Sequence, residues 1–129
     1  MLIENNHFKC DGKAPFEKEE AQYVYVLVRS DLSVSQQAVQ AVHAGMAAIH
    51  KHGGLTDDTR LAMLSVRDEY ELKCYAQKAS EAGFDFEVFW EPDNNTGWSA
   101  LATAPISRKQ GKVFKKLSMW NPERELMAA

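Results

Sequence analysis

A chain of 129 residues with 45% hydrophobic content can build one domain with a substantial core and is too short for two. Fifteen basic residues against eighteen acidic ones give a formal charge of −3 at pH 7, so global charge lends nucleic-acid binding no support, although a local patch can still supply it. Cys10 and Cys74 form no CxxC, no leader-like apolar run opens the chain and no stretch is long enough to span a bilayer, so a disulfide framework, a zinc site and a membrane partner are not expected and a reducing cytoplasm is.

Residues 1–22 lack sustained periodicity, carry the EKEE cluster at 17–20 and read as an N-terminal arm. The apolar run 23–30, YVYVLVRS, is expected to form a central strand. Ser33 or Ser35 then caps a helix that Gly53 and Gly54 end. That helix has three stripes. Ala38, Ala41, Gly45 and Ala48 form a small one, Val39, Val42, Met46 and Ile49 a larger apolar one, and Gln36, Gln40, His43, Ala47 and His50 a mostly polar one. The two apolar stripes are expected to lie on a sheet, with Gly45 in a close contact. The polar stripe starts beside the carboxyl end of the first strand, where open α/β sheets tend to hold ligands.

Residues 61–67 predict a second strand, and Asp68 with Glu71 forms a capping-box pattern opening a second helix. Leu72, Ala76 and Ala79 face its core side and Gly83 closes it. In 85–91, Phe86, Val88 and Trp90 alternate against Glu87 and Phe89 as a third strand. The turn-forming PDNNTG leads to a hairpin partner at 99–104. Ser107 with Gln110 predicts a final helix burying Val113, Phe114 and Leu117, after which 121–129 is a peripheral tail. The order β-α-β-α-β-β-α implies an α/β domain over 23–120, with a four-stranded mixed sheet and helices on both faces in three layers.

Three constellations can carry chemistry. His43 with Gln40 and Gln36 can act as an acid–base or orienting group; the alternative is a solvated histidine on a polar face. Glu91, Asp93, Asn94, Asn95 and Thr96, followed by Ser99, can polarise a water and position a substrate oxygen, while plain turn chemistry accounts for the same residues. Arg108, Lys109, Lys112, Lys115 and Lys116 lie between Ser107 and Trp120 with no acidic residue among them. They can neutralise phosphates or simply keep a helix face wet. No P-loop, dinucleotide fingerprint, GxSxG or HExxH is present, and no metal or other cofactor is expected.

The runs VLVRSDL, QQAVQAVHA, WEPDNN and SALATAPI resemble the class II peptidyl-tRNA hydrolases, the archaeal and eukaryotic type, and most nearly the divergent peptidyl-tRNA hydrolase domain-containing proteins. The likeness runs from about Tyr23 to Trp120. Its most specific part is Gln40–Ala44, which resembles the family's AAQ-x-x-HA. The resemblance implies a four-stranded mixed sheet between helices and hydrolysis of the ester joining a peptidyl or aminoacyl group to tRNA, the implied partner. It is also compatible with a homodimer. Under it Asp93 or Glu91 assists water, Gln36, Gln40 and His43 orient the substrate, and Ser99 bonds near the ester. Arg108, Lys112 and Lys116 hold the phosphate backbone. Two departures stand out. The family's lysine before the first helix has Gln36 as its closest counterpart, and the loop carrying the family's aspartate is shorter here. A catalytically silent RNA- or protein-binding module on the same fold is the alternative.

Overall fold

The computed structural model describes residues 21–123. Of the arm expected over 1–22, residues 1–20 lie outside the described residues, as do residues 124–129 of the tail expected over 121–129, whereas Gln22 already belongs to the first strand. Strand β1 (Gln22–Arg29) leads to helix α1 (Val34–His52), strand β2 (Arg60–Val66) and helix α2 (Glu69–Ala82). Strands β3 (Phe86–Glu91) and β4 (Gly97–Thr103) follow, then the two-residue strands β5 (Ile106–Ser107) and β6 (Ser118–Met119). The helices begin and end where side-chain chemistry allows. The Ser33 hydroxyl accepts the Gln36 N–H and the Asp68 carboxylate accepts the Glu71 N–H, while Gly83 closes α2 in the left-handed conformation.

The sheet runs β3-β4-β1-β2-β6, with β5 paired to the start of β1. β1 and β2 are parallel, and β4 lies antiparallel to both β1 and β3. Because successive strand residues point to opposite faces, β1 serves two cores. Val24, Val26 and Val28 pack with Ala41, Ala44 and Ala48 of α1 and with Ala100 and Ala102 of β4. Leu27 joins Leu64, Val66, Leu101, Phe114 and the α2 residues Leu72, Tyr75, Ala76 and Ala79 on the other face. Among the described residues no helix is long and apolar enough to cross a membrane.

The structure corrects the expected four-stranded three-layer arrangement in its strands and final helix, although a helix does lie on each face of the sheet. Among the described residues the sheet has six strands, and the helix expected after Ser107 does not form as an α-helix. The Ser107–Gln110 capping box does form, with Ser107 N–H donating to Gln110 Oε1 at 3.0 Å and Gln110 N–H donating to the Ser107 hydroxyl at 3.1 Å. What it opens is only a 3₁₀ segment, Gln110–Phe114. Tertiary pairing overrides the local helical pattern: Phe114 is drawn into the α2-side core, and residues 118–119 are captured by the edge of β2. In β3, a register shift between Phe89 and Trp90 turns Trp90 out to 59% exposure, so it does not share the face of Phe86 and Val88.

The stripes of α1 are also rotated from expectation. Its buried residues are Gln37, Gln40, Ala41, Ala44 and Ala48, whereas Val39, Val42 and Met46 are exposed. Two polar groups pull the helix round. Gln40 meets the fully buried Ser99, and Gln37 accepts the Trp120 indole N–H at 2.7 Å. Gly45 makes no close contact; a Cβ there would meet nothing within 4 Å. It opens onto an apolar groove of about 300 Å³ between α1 and the β1–β2 pair, floored by Val24, Val26 and Met63.

Candidate active site

Five of the residues singled out in the sequence meet where α1 crosses the β3–β4 hairpin. The Gln40 side-chain amide is at the centre. Its Nε2 donates to Gln36 Oε1 at 3.1 Å and to Glu91 Oε2 at 3.0 Å. The Ser99 hydroxyl lies 3.0 Å from both Gln40 Oε1 and the Phe89 carbonyl, and its single proton serves one of them at a time. With acceptors on its nitrogen side and a hydroxyl on its oxygen side, the Gln40 amide has one satisfied orientation.

Glu91 is thereby held from two directions. Its Oε1 accepts the Asp93 N–H at 3.1 Å and its Oε2 accepts Gln40. These bonds, the Asp93 N–H first and the Gln40 amide second, hold its carboxyl below the ordinary value of 4.5, with a smaller electrostatic contribution from His43. The His43 ring stacks on Phe89 with centroids 4.5 Å apart and planes within 7°. Burial divides the five into layers. Ser99 and Gln40 are sealed off at 0% and 1% exposure, whereas Gln36 and His43 are exposed and Glu91 is half-buried. A ligand can therefore touch Glu91, His43 and Gln36, while Gln40 and Ser99 act from behind.

The hairpin loop is pinned at its far side by residues that were not among the sequence candidates. Arg29, at the carboxyl end of β1, donates from Nη1 to the carbonyls of Thr96 and Trp98, and grips Asp31 in a two-bond fork at 2.9 Å each. Glu69 accepts the Trp98 N–H at 2.8 Å and lies against Gly97, which takes a φ of +75° and where an added Cβ would run into the Glu69 carboxylate. A guanidinium ending an otherwise apolar strand was the available signal for Arg29. Phe89, the platform for His43, left no such signal. Asp93 starts the 3₁₀ turn Asp93–Asn95, and its carbonyl accepts the Thr96 N–H and hydroxyl. Asn94 and Asn95 both take φ of 56°, a turn geometry that asparagine tolerates. The exposed Asp93 thus serves this network through its backbone.

Arg108, Lys112 and Lys116 are not brought to the cleft. The segment carrying them packs through Phe114 on the α2 face of the sheet, and the cleft lies on the α1 face. Among the described residues no group of three or more histidine, cysteine, aspartate or glutamate side chains can hold a metal ion.

No family model matches the chain. No curated protein matches it either. Among solved structures, it resembles a protein of unknown function from Agrobacterium tumefaciens strain C58. The TM-score is 0.61 at 14% identity, over 78% of this chain and 98% of that one. At that identity the likeness concerns the fold alone.

Proposed function

We propose that the Gln36–Gln40–His43–Glu91–Ser99 cleft hydrolyses the ester between a peptidyl or aminoacyl group and a tRNA. The observation that carries this reading is the Gln40 amide, which holds Glu91 as an oriented anion beside an exposed, stacked His43. The likeness of Gln40–Ala44 and the hairpin strand to the class II peptidyl-tRNA hydrolases supports the substrate class. A carboxylate kept below its ordinary pKa is a weak base, so Glu91 orients the attacking water and His43 takes its proton. The water oxygen bonds to the ester carbon, the carbon–oxygen bond to the ribose breaks, and the proton passes to the departing tRNA hydroxyl. Gln36, as an amide, positions the substrate by hydrogen bonding.

A silent binding module on the same fold is the second reading. It is favoured by Gln36 standing where the resembled family has a lysine, and by a basic segment that packs across the sheet from the cleft. Incubation with N-acyl-aminoacyl-tRNA separates the two. Release of free tRNA above background supports hydrolysis, and tRNA binding without release supports the module.

A further inference from the structure

A second cavity, of about 390 Å³, opens at the carboxyl ends of the parallel pair β1 and β2, outside the cleft described above. Ser30 follows β1, Ser65 and Arg67 lie at the end of β2, and Ser118 with Lys116 closes the cavity from the β6 side. The Ser30 N–H donates to the Val66 carbonyl at 2.8 Å, which holds the two strand ends together. Glu71 also lines the cavity, but its carboxylate is committed to Arg67. It accepts the Arg67 N–H at 2.8 Å and lies 3.2 Å from the guanidinium. Arg67 and Lys116 against Glu71 leave one net positive charge.

Among the described residues, the hydroxyls of Ser30, Ser65 and Ser118 and the Lys116 ammonium have no hydrogen bond or ion pair within the protein. Three hydroxyl donors and an ammonium around one cavity match the tetrahedral oxygens of a phosphate, which accept from several directions. The volume exceeds that of a bare ion and leaves space for the organic group that bears it. The site also occupies the edge of an α/β sheet that generally receives ligands. We propose that this cavity binds the phosphate group of a phosphorylated ligand, with Lys116 as its principal cation. The inference does not depend on the hydrolytic reading, since Glu91 and His43 take no part in it.

The test uses the full chain and follows backbone amide shifts of Ser65, Arg67 and Ser118 by NMR at constant ionic strength. The probes are inorganic phosphate, a nucleoside 5′-monophosphate, the same nucleoside without phosphate, and a short RNA with no terminal phosphate. Saturable shifts with the two phosphate probes and none with the bare nucleoside are expected. Lys116→Gln should weaken binding about tenfold or more, as expected for loss of one charge-assisted hydrogen bond, while Lys112→Gln leaves it unchanged. Tighter binding of the RNA than of the free phosphates would keep the phosphate site and assign its source to a nucleic-acid backbone. Shifts equal to those with sodium chloride, shifts confined to other amides, or equal losses in both lysine variants would overturn the proposal.

Discussion

Gln40 and Ser99, 59 positions apart in the chain, share a buried hydrogen bond of 3.0 Å that joins α1 to β4. Through it the β3–β4 hairpin and the helix are locked at one rotation, which brings Glu91 to the other end of the same amide. The expected energetics are asymmetric. Ser99→Ala leaves the buried Gln40 Oε1 without its donor and should cost about 1–3 kcal/mol. Gln40→Leu leaves the Ser99 hydroxyl its second acceptor, the Phe89 carbonyl, and should cost about 1–2 kcal/mol. The double variant should lose less than the sum of the two, because both partners are then apolar. Denaturant unfolding of the four proteins measures the coupling, and strict additivity would argue against the shared bond.

Glu91 should titrate accordingly. Its pKa in the folded protein lies below the ordinary 4.5, so the unfolded chain takes up this proton more readily than the folded one. The stabilisation from its bonds is fully present above about pH 4.5 and is lost as the pH falls through the lower folded value. A ¹³C titration of the side-chain carboxyl should give a midpoint below the usual glutamate range. In Gln40→Leu that midpoint should move up but stop short of the ordinary value, because the Asp93 N–H remains. An unmoved midpoint would remove Gln40 from the account of Glu91.

Two glycines should respond in opposite senses. Gly45 sits mid-helix, and a Cβ added there would meet nothing within 4 Å, so Gly45→Ala should stabilise by about 0.5–1 kcal/mol through helix propensity. At Gly111 a Cβ would run into the Tyr25 ring, which is itself packed on Phe114. Gly111→Ala should therefore destabilise by about 1–3 kcal/mol. Thermal unfolding of each variant checks the pair.

For the proposed hydrolysis, Glu91→Gln should lower turnover at least about tenfold, the lower end of what a positioned acid–base group contributes. His43→Ala should produce a loss of the same order if the ring accepts the proton of water. Asp93→Asn should have little effect, since Asp93 reaches the network through its backbone N–H. Single-turnover release of tRNA from N-acyl-aminoacyl-tRNA is the measurement. A large loss in Asp93→Asn with none in Glu91→Gln would move the acting carboxylate to the turn.

Much of the architecture was legible in the chain because its signals are local. Apolar runs, alternation and the PDNNTG turn located β1 to β4, and Ser33 or Ser35, Asp68 and Gly83 marked helix ends, where Ser33 proves to be the cap of α1. The candidate residues were legible by type as well, since Gln36, Gln40, His43, Glu91 and Ser99 are all groups that carry polar chemistry. Which of them a ligand can reach was not. Periodicity places residues on a stripe but does not say which stripe faces inward when a helix has both an apolar ridge and amides able to find buried partners. Ser99 and Trp120, remote in sequence, decided that by binding Gln40 and Gln37, and so turned Val39, Val42 and Met46 outward. The final segment was decided the same way. Its helical pattern gave way to a 3₁₀ turn and a sheet-edge pairing, because burying Phe114 and satisfying the edge of β2 outweigh the propensity of a short local run.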